Sequence, residues 1–379
     1  MDKVPPFTWT PSGDPRTDPI GYLDSMLDVS RVRERVSALI PYQLQLADWL
    51  AKGGNWPWRI FAKSVEKHPN KEAFVYAEDG RSWTYGELHR DSNAFSNILL
   101  QLGVKPKDIV PLVMENSPEF VIAWLGILKI GACCAMINHN LRGNALSHCL
   151  TVSNGKAIVF GPAFESAIKE LGIHNDGKRL FIAFGEQPVS WATKSLGIKD
   201  LNAISGADVP DAIKKAFTVT DLAEFIYTSG TTGLPKAVNV TQGRMYTAGV
   251  GSMIGTKFVE DDRFYTGLPL YHSAGNWLGM VASFNMGMTF IVARKFSASR
   301  FFADAKKYNA TTSQYIGELA RYLLASPPSP TFGRGHKIRA MIGNGLRPEI
   351  WHQFKTRFGI PIINEISETT RSDFDSCDN

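Results

Sequence analysis

The segment Thr228–Lys236 combines residue types that bind phosphate. Hydroxyl groups stand at Thr228, Ser229, Thr231 and Thr232, glycines at Gly230 and Gly233, and a lysine at Lys236. The glycines allow successive backbone N–H groups to turn toward one concave point. The lysine adds a mobile positive charge for the outer phosphates. We therefore predict a phosphate-binding loop, entered and left by β-rich runs.

The order of residues in this loop differs from that of the common nucleotide-binding P-loop. The P-loop lysine directly precedes a Ser or Thr at the start of a helix, whereas Lys236 follows Pro235 and precedes a run that favours a strand. An unrelated P-loop ATPase is therefore disfavoured. A hairpin without a chemical role remains open, because small polar residues also dominate ordinary turns.

Alternating apolar segments predict the framework that positions this loop. Strands are expected at Ile109–Val113, Ala132–Ile137 and Ala157–Phe160, with helices at about 118–129 and 144–152. A second block has apolar runs at 289–293, 312–315 and 340–342 and a helix at 298–308. Such alternation with short connections predicts an α/β fold with two parallel, helix-covered halves on either side of residues 223–240.

Two local signals mark the start of the folded region. Asp79-Gly80, between runs at 73–76 and 82–84, predicts a β-hairpin, because this dipeptide tolerates the positive φ of a tight turn. Thr84 and Glu87 then fit a capping box at a helix N-terminus. Residues 1–55, rich in Pro, Asp and Arg, are interpreted as an N-terminal extension, and residues 56–379 as one domain.

Composition disfavours several classes of protein. The chain has a net charge of +5 but no dense run of Lys and Arg, so no nucleic-acid partner is expected. The four cysteines show neither disulfide-scaffold density nor metal spacing, which favours a reducing, intracellular compartment. The polar N-terminus lacks the apolar run of a signal peptide. The apolar stretch 120–137 carries Lys129, which favours a buried helix and strand over a membrane span.

The segment Tyr227–Lys236 resembles the phosphate-binding signature of the adenylate-forming, or AMP-binding, superfamily of acyl-CoA synthetases, luciferase-like enzymes and peptide-synthetase adenylation domains. The segments Leu268–Asn276, Arg294–Phe301 and Gln314–Glu318 resemble its branch of fatty-acid-transport proteins and very-long-chain acyl-CoA synthetases. The resemblance extends from about Trp56 to Glu365. It implies the N-terminal domain of such an enzyme, with two helix-flanked, mostly parallel sheets and a smaller β-rich subdomain.

The resemblance also implies a reaction. Members of this superfamily activate a carboxylate by its attack on the α-phosphorus of ATP, release pyrophosphate, and then transfer the acyl group to CoA. The expected substrates are a long- or very-long-chain fatty acid, ATP and CoA, with Mg²⁺ as cofactor. A member acting on aryl or amino acids shares the loop, although the transport-branch segments argue against it. The expected location is cytoplasmic, or peripheral on the endoplasmic reticulum, peroxisome or lipid droplet.

Site residues follow from the same resemblance. His272 is expected beside the acyl tunnel, with a structural, backbone-bonded histidine as the alternative. The Gly343-Asn-Gly345 segment is expected to form the adenine wall, with a plain strand-to-helix turn as the alternative. The expected catalytic residues are His272, Lys236 and Thr370. The expected nucleotide-binding residues are Tyr227, Thr228, Ser229, Gly230, Thr231, Thr232, Gly233, Lys236, Gly343, Asn344, Gly345 and Glu365; metal ligands are not assigned.

The family pattern breaks after Glu365. An ungapped comparison keeps Thr370 but puts Ser367 in the place of an adenine-stacking aromatic and Arg371 in the place of an acid beside Mg²⁺; a short deletion would instead give Glu368 the acid's role. The sequence given ends at Asn379, without the mobile C-terminal domain of the family. We therefore expect a truncated domain, and a catalytically impaired nucleotide- or acyl-binding remnant is the competing hypothesis.

Overall fold

The computed structural model describes residues 58–175, 177–228, 234–327 and 332–366, and the isolated positions Ser37, Ile40 and Leu44. Contacts within the chain define two units, Met1–Asp48 and Trp49–Asn379. In the first unit the three isolated positions are helical and exposed. The architecture given below is that of the second unit.

The strands of the second unit are short and separated by helices. In chain order they are β1 Glu72–Tyr76, β2 Ser82–Thr84, β3 Ile109–Val113, β4 Cys133–Met136, β5 Ala157–Phe160, β6 Leu180–Phe184, β7 Lys194–Leu196, β8 Leu222–Thr228, β9 Lys236–Thr241, β10 Arg263–Thr266, β11 Thr289–Val292, β12 Thr312–Ile316, β13 Ala340–Asn344 and β14 Ile362–Glu365.

The α-helices alternate with these strands. They are α1 Trp58–Lys67, α2 Tyr85–Gln101, α3 Pro118–Lys129, α4 Gly143–Ser153, α5 Glu165–Lys169, α6 Asp211–Lys214, α7 Gln242–Thr256, α8 Ala282–Met286, α9 Phe301–Lys307, α10 Gly317–Ala325 and α11 Pro348–Phe358. Short 3₁₀ helices span Pro162–Phe164, Ile173–Asn175 and Ile198–Ala203, and a π-helix spans Ala274–Val281.

The strands form two sheets of seven. The first sheet has the order β7-β6-β5-β3-β4-β8-β9 and the second the order β14-β13-β12-β10-β11-β1-β2. Pairing is parallel throughout except for β8 with β9 and β1 with β2, each at one edge. The predicted pair of mostly parallel, helix-flanked sheets is confirmed. Within the described residues every strand belongs to one of these sheets, and the smaller β-rich subdomain that we expected has no strands of its own.

Helix α3 lies in the core, as its sequence predicts. Pro at its first turn and Ser117 as N-cap start it, and all of its residues are buried. At Gly126 a β-carbon would come within 2.9 Å of the ring of Phe95 on α2, so the glycine permits close packing of the two helices. None of the helices in the described ranges is long and apolar enough to cross a membrane.

A buried asparagine joins the two sheets near the carboxyl ends of their strands. Asn116 follows β3 of the first sheet, and its Nδ2 donates to the carbonyls of Leu268 and Ala293, at 2.9 and 3.0 Å, just beyond β10 and β11 of the second. Its Oδ1 accepts from the N–H of Leu270 at 2.8 Å. Since buried polar groups are costly unless paired, these bonds fix how the sheets meet. Ligand sites of open α/β sheets lie at these carboxyl ends.

Candidate active site

The predicted phosphate loop connects β8 to β9. These strands pair antiparallel, and Thr228 lies opposite Lys236 at the mouth of the connection. The Lys236 side chain is exposed and Thr228 is half-buried. Residues 229–233, which include the predicted ligands Ser229, Gly230, Thr231, Thr232 and Gly233, lie outside the described residues. The ladder therefore sets the two ends of the loop, while the roles of its central residues stay predictions.

Tyr227 anchors the loop from the core side. It is buried, and its hydroxyl donates to the carbonyl of Cys149 on α4 at 3.0 Å. Burial raises the pKa of this hydroxyl above its ordinary value. Tyr227 thus fixes β8 against α4, and its predicted contact with nucleotide stays a prediction.

His272 stands at the entrance of the π-helix. It is exposed, its ring centroid lies 4.6 Å from that of the buried Tyr271, and its carbonyl accepts from Asn276 at 3.0 Å. A β-carbon at Gly275 would come within 2.5 Å of the carbonyl oxygen of Pro269, so only glycine fits where the backbone passes this close to Pro269. Segments of π-helix often occur at functional sites. The predicted place of His272 beside the acyl tunnel and the alternative of a structural histidine both stay predictions.

The predicted adenine wall includes the last two residues of β13 and is built on close backbone approach. A β-carbon at Gly343 would lie 2.0 Å from the carbonyl of Tyr315, and one at Gly317 would lie 2.0 Å from that of Gly345. Gly345 also has φ of +76°, which favours glycine. Asn344 is half-buried at the strand end. These glycines leave a flat backbone surface at the strand ends.

Glu365 holds this wall in place. It ends β14, and its carboxylate accepts from the Tyr315 hydroxyl and, at 3.1 Å, from the N–H of Leu346. Both oxygens are therefore already bonded to protein groups. Glu365 was predicted to contact nucleotide, and that contact stays a prediction beside these two bonds. Thr370 lies outside the described residues, and its catalytic role stays a prediction.

Glu224 is a buried acidic residue that sequence reasoning missed, and it lies on the strand that leads to the predicted phosphate loop. It lies in the middle of β8, is fully buried, and accepts from the indole N–H groups of Trp124 at 2.6 Å and Trp277 at 2.7 Å. Burial raises the pKa of Glu224 to about 7, although the indole bonds act in the opposite direction. The available signal was one acidic residue in an otherwise apolar strand.

The fit of this region to Mg²⁺ depends on free oxygen ligands. Mg²⁺ bound with nucleotide usually takes phosphate oxygens, waters and one or two carboxylates. Within the ranges that the structure describes, no three His, Cys, Asp or Glu side chains converge on one point. The carboxylate of Glu365 is already occupied by its two donors. The described residues thus offer no magnesium site made of protein ligands alone, and the requirement for Mg²⁺ stays a prediction.

Comparison with known proteins agrees with this geometry. The family model described as AMP-binding enzyme matches residues 61–370. Long-chain fatty acid transport protein 1 of Homo sapiens is 38% identical over 88% of this chain and 52% of its own length. Medium/long-chain-fatty-acid–CoA ligase FadD6 of Mycobacterium tuberculosis is 35% identical over 74% of this chain and 45% of its own length. The chain thus spans about half the length of these curated relatives.

A solved structure supports the fold. The anthranilate CoA ligase AuaEII, in complex with anthranoyl-AMP, superimposes with a TM-score of 0.72 at 20% identity, over 81% of this chain and 59% of that one. At this identity the likeness concerns the fold alone. The matched family model covers most of the chain, including both strands of the phosphate-loop hairpin and the strands that carry the glycine wall. This chain therefore belongs to the AMP-binding enzyme family.

Proposed function

We propose that this chain activates a long- or very-long-chain fatty acid with ATP, first to the acyl-adenylate and then to acyl-CoA. In the first step a carboxylate oxygen bonds to the α-phosphorus, and the bond from that phosphorus to the pyrophosphate oxygen breaks. In the second step the CoA sulfur bonds to the acyl carbon, AMP leaves, and the thiol proton passes to solvent or a base.

The observation that carries this proposal is the pairing of Thr228 with Lys236 at the mouth of the loop. A hydroxyl and an ammonium group here would bind phosphate oxygens where negative charge accumulates on the leaving pyrophosphate. The exposed His272 would contact the acyl-phosphate region, and the glycine wall at 343–345 would receive the adenine. These three features lie at carboxyl ends of strands, or just beyond them, in two sheets joined by Asn116. Positioning is the main demand of such chemistry.

The substrate class is supported by the relatives. The transport protein is named for long-chain fatty acids and the bacterial ligase for medium- and long-chain fatty acids. The anthranilate ligase has an aryl substrate in its name, but its likeness to this chain is at the level of fold. A fatty acid is thus favoured over an aryl acid. We propose that the protein contacts a lipid-handling membrane peripherally. Its net charge of +5 is compatible with attraction to an anionic lipid surface.

The test is fatty-acid-dependent exchange of labelled pyrophosphate into ATP by the purified 379-residue chain. Oleate, a very-long-chain acid and benzoate are compared, with Mg²⁺ present or removed by chelation. We expect exchange with the fatty acids that is lost in Lys236→Ala and reduced in Thr228→Ala. A preference for benzoate would overturn the substrate class. Absence of exchange in a folded chain that still binds an ATP analogue would favour the nucleotide-binding remnant.

A further inference from the structure

The buried carboxylate of Glu224 connects three elements of the fold. Its own strand, β8, leads to Thr228 at the phosphate-loop mouth. Trp124, which donates to Oε1, belongs to α3 of the first sheet's helical layer. Trp277, which donates to Oε2, belongs to the π-helix that begins two residues after His272. One carboxylate therefore joins the strand before the phosphate loop to the helix after His272.

A purely apolar contact would hold these elements together at lower cost. Removing a carboxylate from water is expensive, and replacing buried ionic groups with apolar side chains of similar size is often neutral or stabilising. What the carboxylate adds is direction. Its two oxygens accept bonds only from donors placed on their lone pairs, so both indole rings, and the helices that carry them, are fixed relative to β8.

The π-helix has few other polar contacts, among the described side chains, that would fix its position against the first sheet. Its hydrogen-bond pattern is rarer than that of an α-helix, and it packs between α7 and strands β10 and β12. Its own Asn276 side chain is fully buried. Among the described residues it makes only a 3.3 Å contact to the sulfur of Met136, and its Oδ1 has no partner there. The Trp277 bond to Glu224 is therefore the strong polar link between the described side chains of this helix and the first sheet.

We propose that Glu224 is a positioning residue, which holds the π-helix and His272 in register with the strand that ends at Thr228. The acyl side and the phosphate side of the site then keep one geometry during adenylation. This inference rests on the proposed function, because it assigns those two sides. Glu224 itself is fully enclosed and acts through Trp124 and Trp277.

The first part of the test examines the link itself. The full chain is labelled with 5-fluorotryptophan, and the three ¹⁹F resonances of interest are assigned with Trp124→Phe, Trp191→Phe and Trp277→Phe. The test variant is Glu224→Gln, which keeps size but cannot accept both indole bonds. The matched control is Glu165→Gln, because Glu165 accepts a hydrogen bond from the Trp191 indole at 2.7 Å, and neither residue belongs to β8 or to the π-helix. We expect Glu224→Gln to shift both the Trp124 and Trp277 resonances, and Glu165→Gln to shift only that of Trp191.

The second part examines coupling to nucleotide. Addition of a non-hydrolysable ATP analogue is expected to shift the Trp277 resonance in the unmodified chain and in Glu165→Gln, but not in Glu224→Gln at an equal occupancy of analogue. An equal shift in Glu224→Gln, or no shift in the unmodified chain, would overturn the coupling. If Glu224→Gln does not fold, Trp277→Phe takes its place, with the Trp124 resonance as the readout.

The third part separates positioning from stability. In the exchange assay we expect the rate at saturating substrates to fall about tenfold or more in Glu224→Gln, since small misalignments of reacting groups are costly. The KM values for ATP and fatty acid should change less than about threefold, the effect of a group that aligns bound substrates. Loss of thermal stability with an unchanged rate per folded molecule would refute the positioning role. Absence of exchange in the unmodified chain would instead count against the proposed function, while the ¹⁹F results would still decide the coupling.

Discussion

The Tyr315 hydroxyl donates to the carboxylate of Glu365 across the top of an intervening strand. Tyr315 on β12 pairs with Gly343 on β13, and Gly343 pairs with Glu365 on β14. The tyrosine ring leans over Gly343, where a β-carbon would lie 2.8 Å from the ring and 2.0 Å from the Tyr315 carbonyl. Gly343 thus shapes the predicted adenine wall and also leaves room for the bond between Tyr315 and Glu365.

Tyr315→Phe should loosen this wall. It removes a hydrogen bond to a carboxylate and should lower the free energy of unfolding by about 1–2 kcal/mol. Only the Leu346 N–H then holds the Glu365 carboxylate, so the affinity for an ATP analogue should fall several-fold. Calorimetric titration measures this affinity, and the affinity for fatty acid should change little. The matched control is Tyr322→Phe, whose exposed hydroxyl donates to Glu318 at 3.1 Å. Equal nucleotide affinities in the two variants would contradict the assignment.

Gly343→Ala and Gly251→Ala should change stability in opposite directions. At Gly343 the added methyl group meets backbone, which cannot move aside cheaply, so a loss of about 3 kcal/mol or more is expected. Gly251 is an exposed position inside α7, and no neighbouring atom lies within 4 Å of the place that a β-carbon would take, so alanine should stabilise by about 0.5–1 kcal/mol. Urea unfolding of both variants measures the difference. A neutral Gly343→Ala would show that the wall is not closely packed.

Lys236→Ala should impair chemistry without affecting the fold. The side chain is exposed, so the free energy of unfolding should stay within about 0.5 kcal/mol. The loss of a charge aimed at phosphate should lower pyrophosphate exchange by about a hundredfold or more. Lys199→Ala, at an exposed lysine on the 3₁₀ helix Ile198–Ala203, is the control and should retain full exchange. Similar activities in the two variants would remove Lys236 from the site.

Local sequence signals predicted most of the framework. The capping box of Thr84 and Glu87 forms as expected, because each side chain bonds a backbone N–H group three residues away. Strands Ile109–Val113 and Ala157–Phe160 and helix Pro118–Lys129 have the bounds that their apolar patterns predict. Such features depend on neighbours in the chain. Helix α7 and the π-helix were not predicted, since their glycine-rich sequences carry weak local signals and depend on packing.

The polar interior could not be predicted in the same way. Glu224 and its tryptophans are separated by up to 100 residues in the chain, and nothing local indicates that the three side chains meet. The same is true of Asn116, whose side chain donates hydrogen bonds to carbonyls more than 150 residues away in the chain. The sequence predicted a site role for Glu365. Its bonds to Tyr315 and to the loop at 343–346 could not be predicted, because they depend on the register of three strands.

Lys129 should make the free energy of unfolding depend on pH. Its ammonium group is fully buried, and Nζ donates to Ser92 at 2.7 Å and Asn93 at 2.8 Å. Burial lowers the pKa of Lys129 from 10.5 to about 7, with Asp208 opposing the shift. Between these two values the unfolded chain binds more protons than the folded chain. Stability from the neutral amine is therefore complete above pH 10.5 and is lost as the pH falls to about 7.

Lys129→Met should remove this dependence. From pH 7 to 8.5 the free energy of unfolding of the unmodified chain should rise relative to that of the variant, by up to about 1.4 kcal/mol per pH unit. His89, which faces Lys129, contributes little above pH 7, because its pKa of about 4 in the folded chain, lowered by burial, and its ordinary value of 6.5 both lie below this range. Taking the difference between variants cancels the groups that they share, and the exposed Lys105→Met serves as control. Parallel curves for Lys129→Met and the unmodified chain would mean that the buried lysine stays charged, held by its four acceptors on α2.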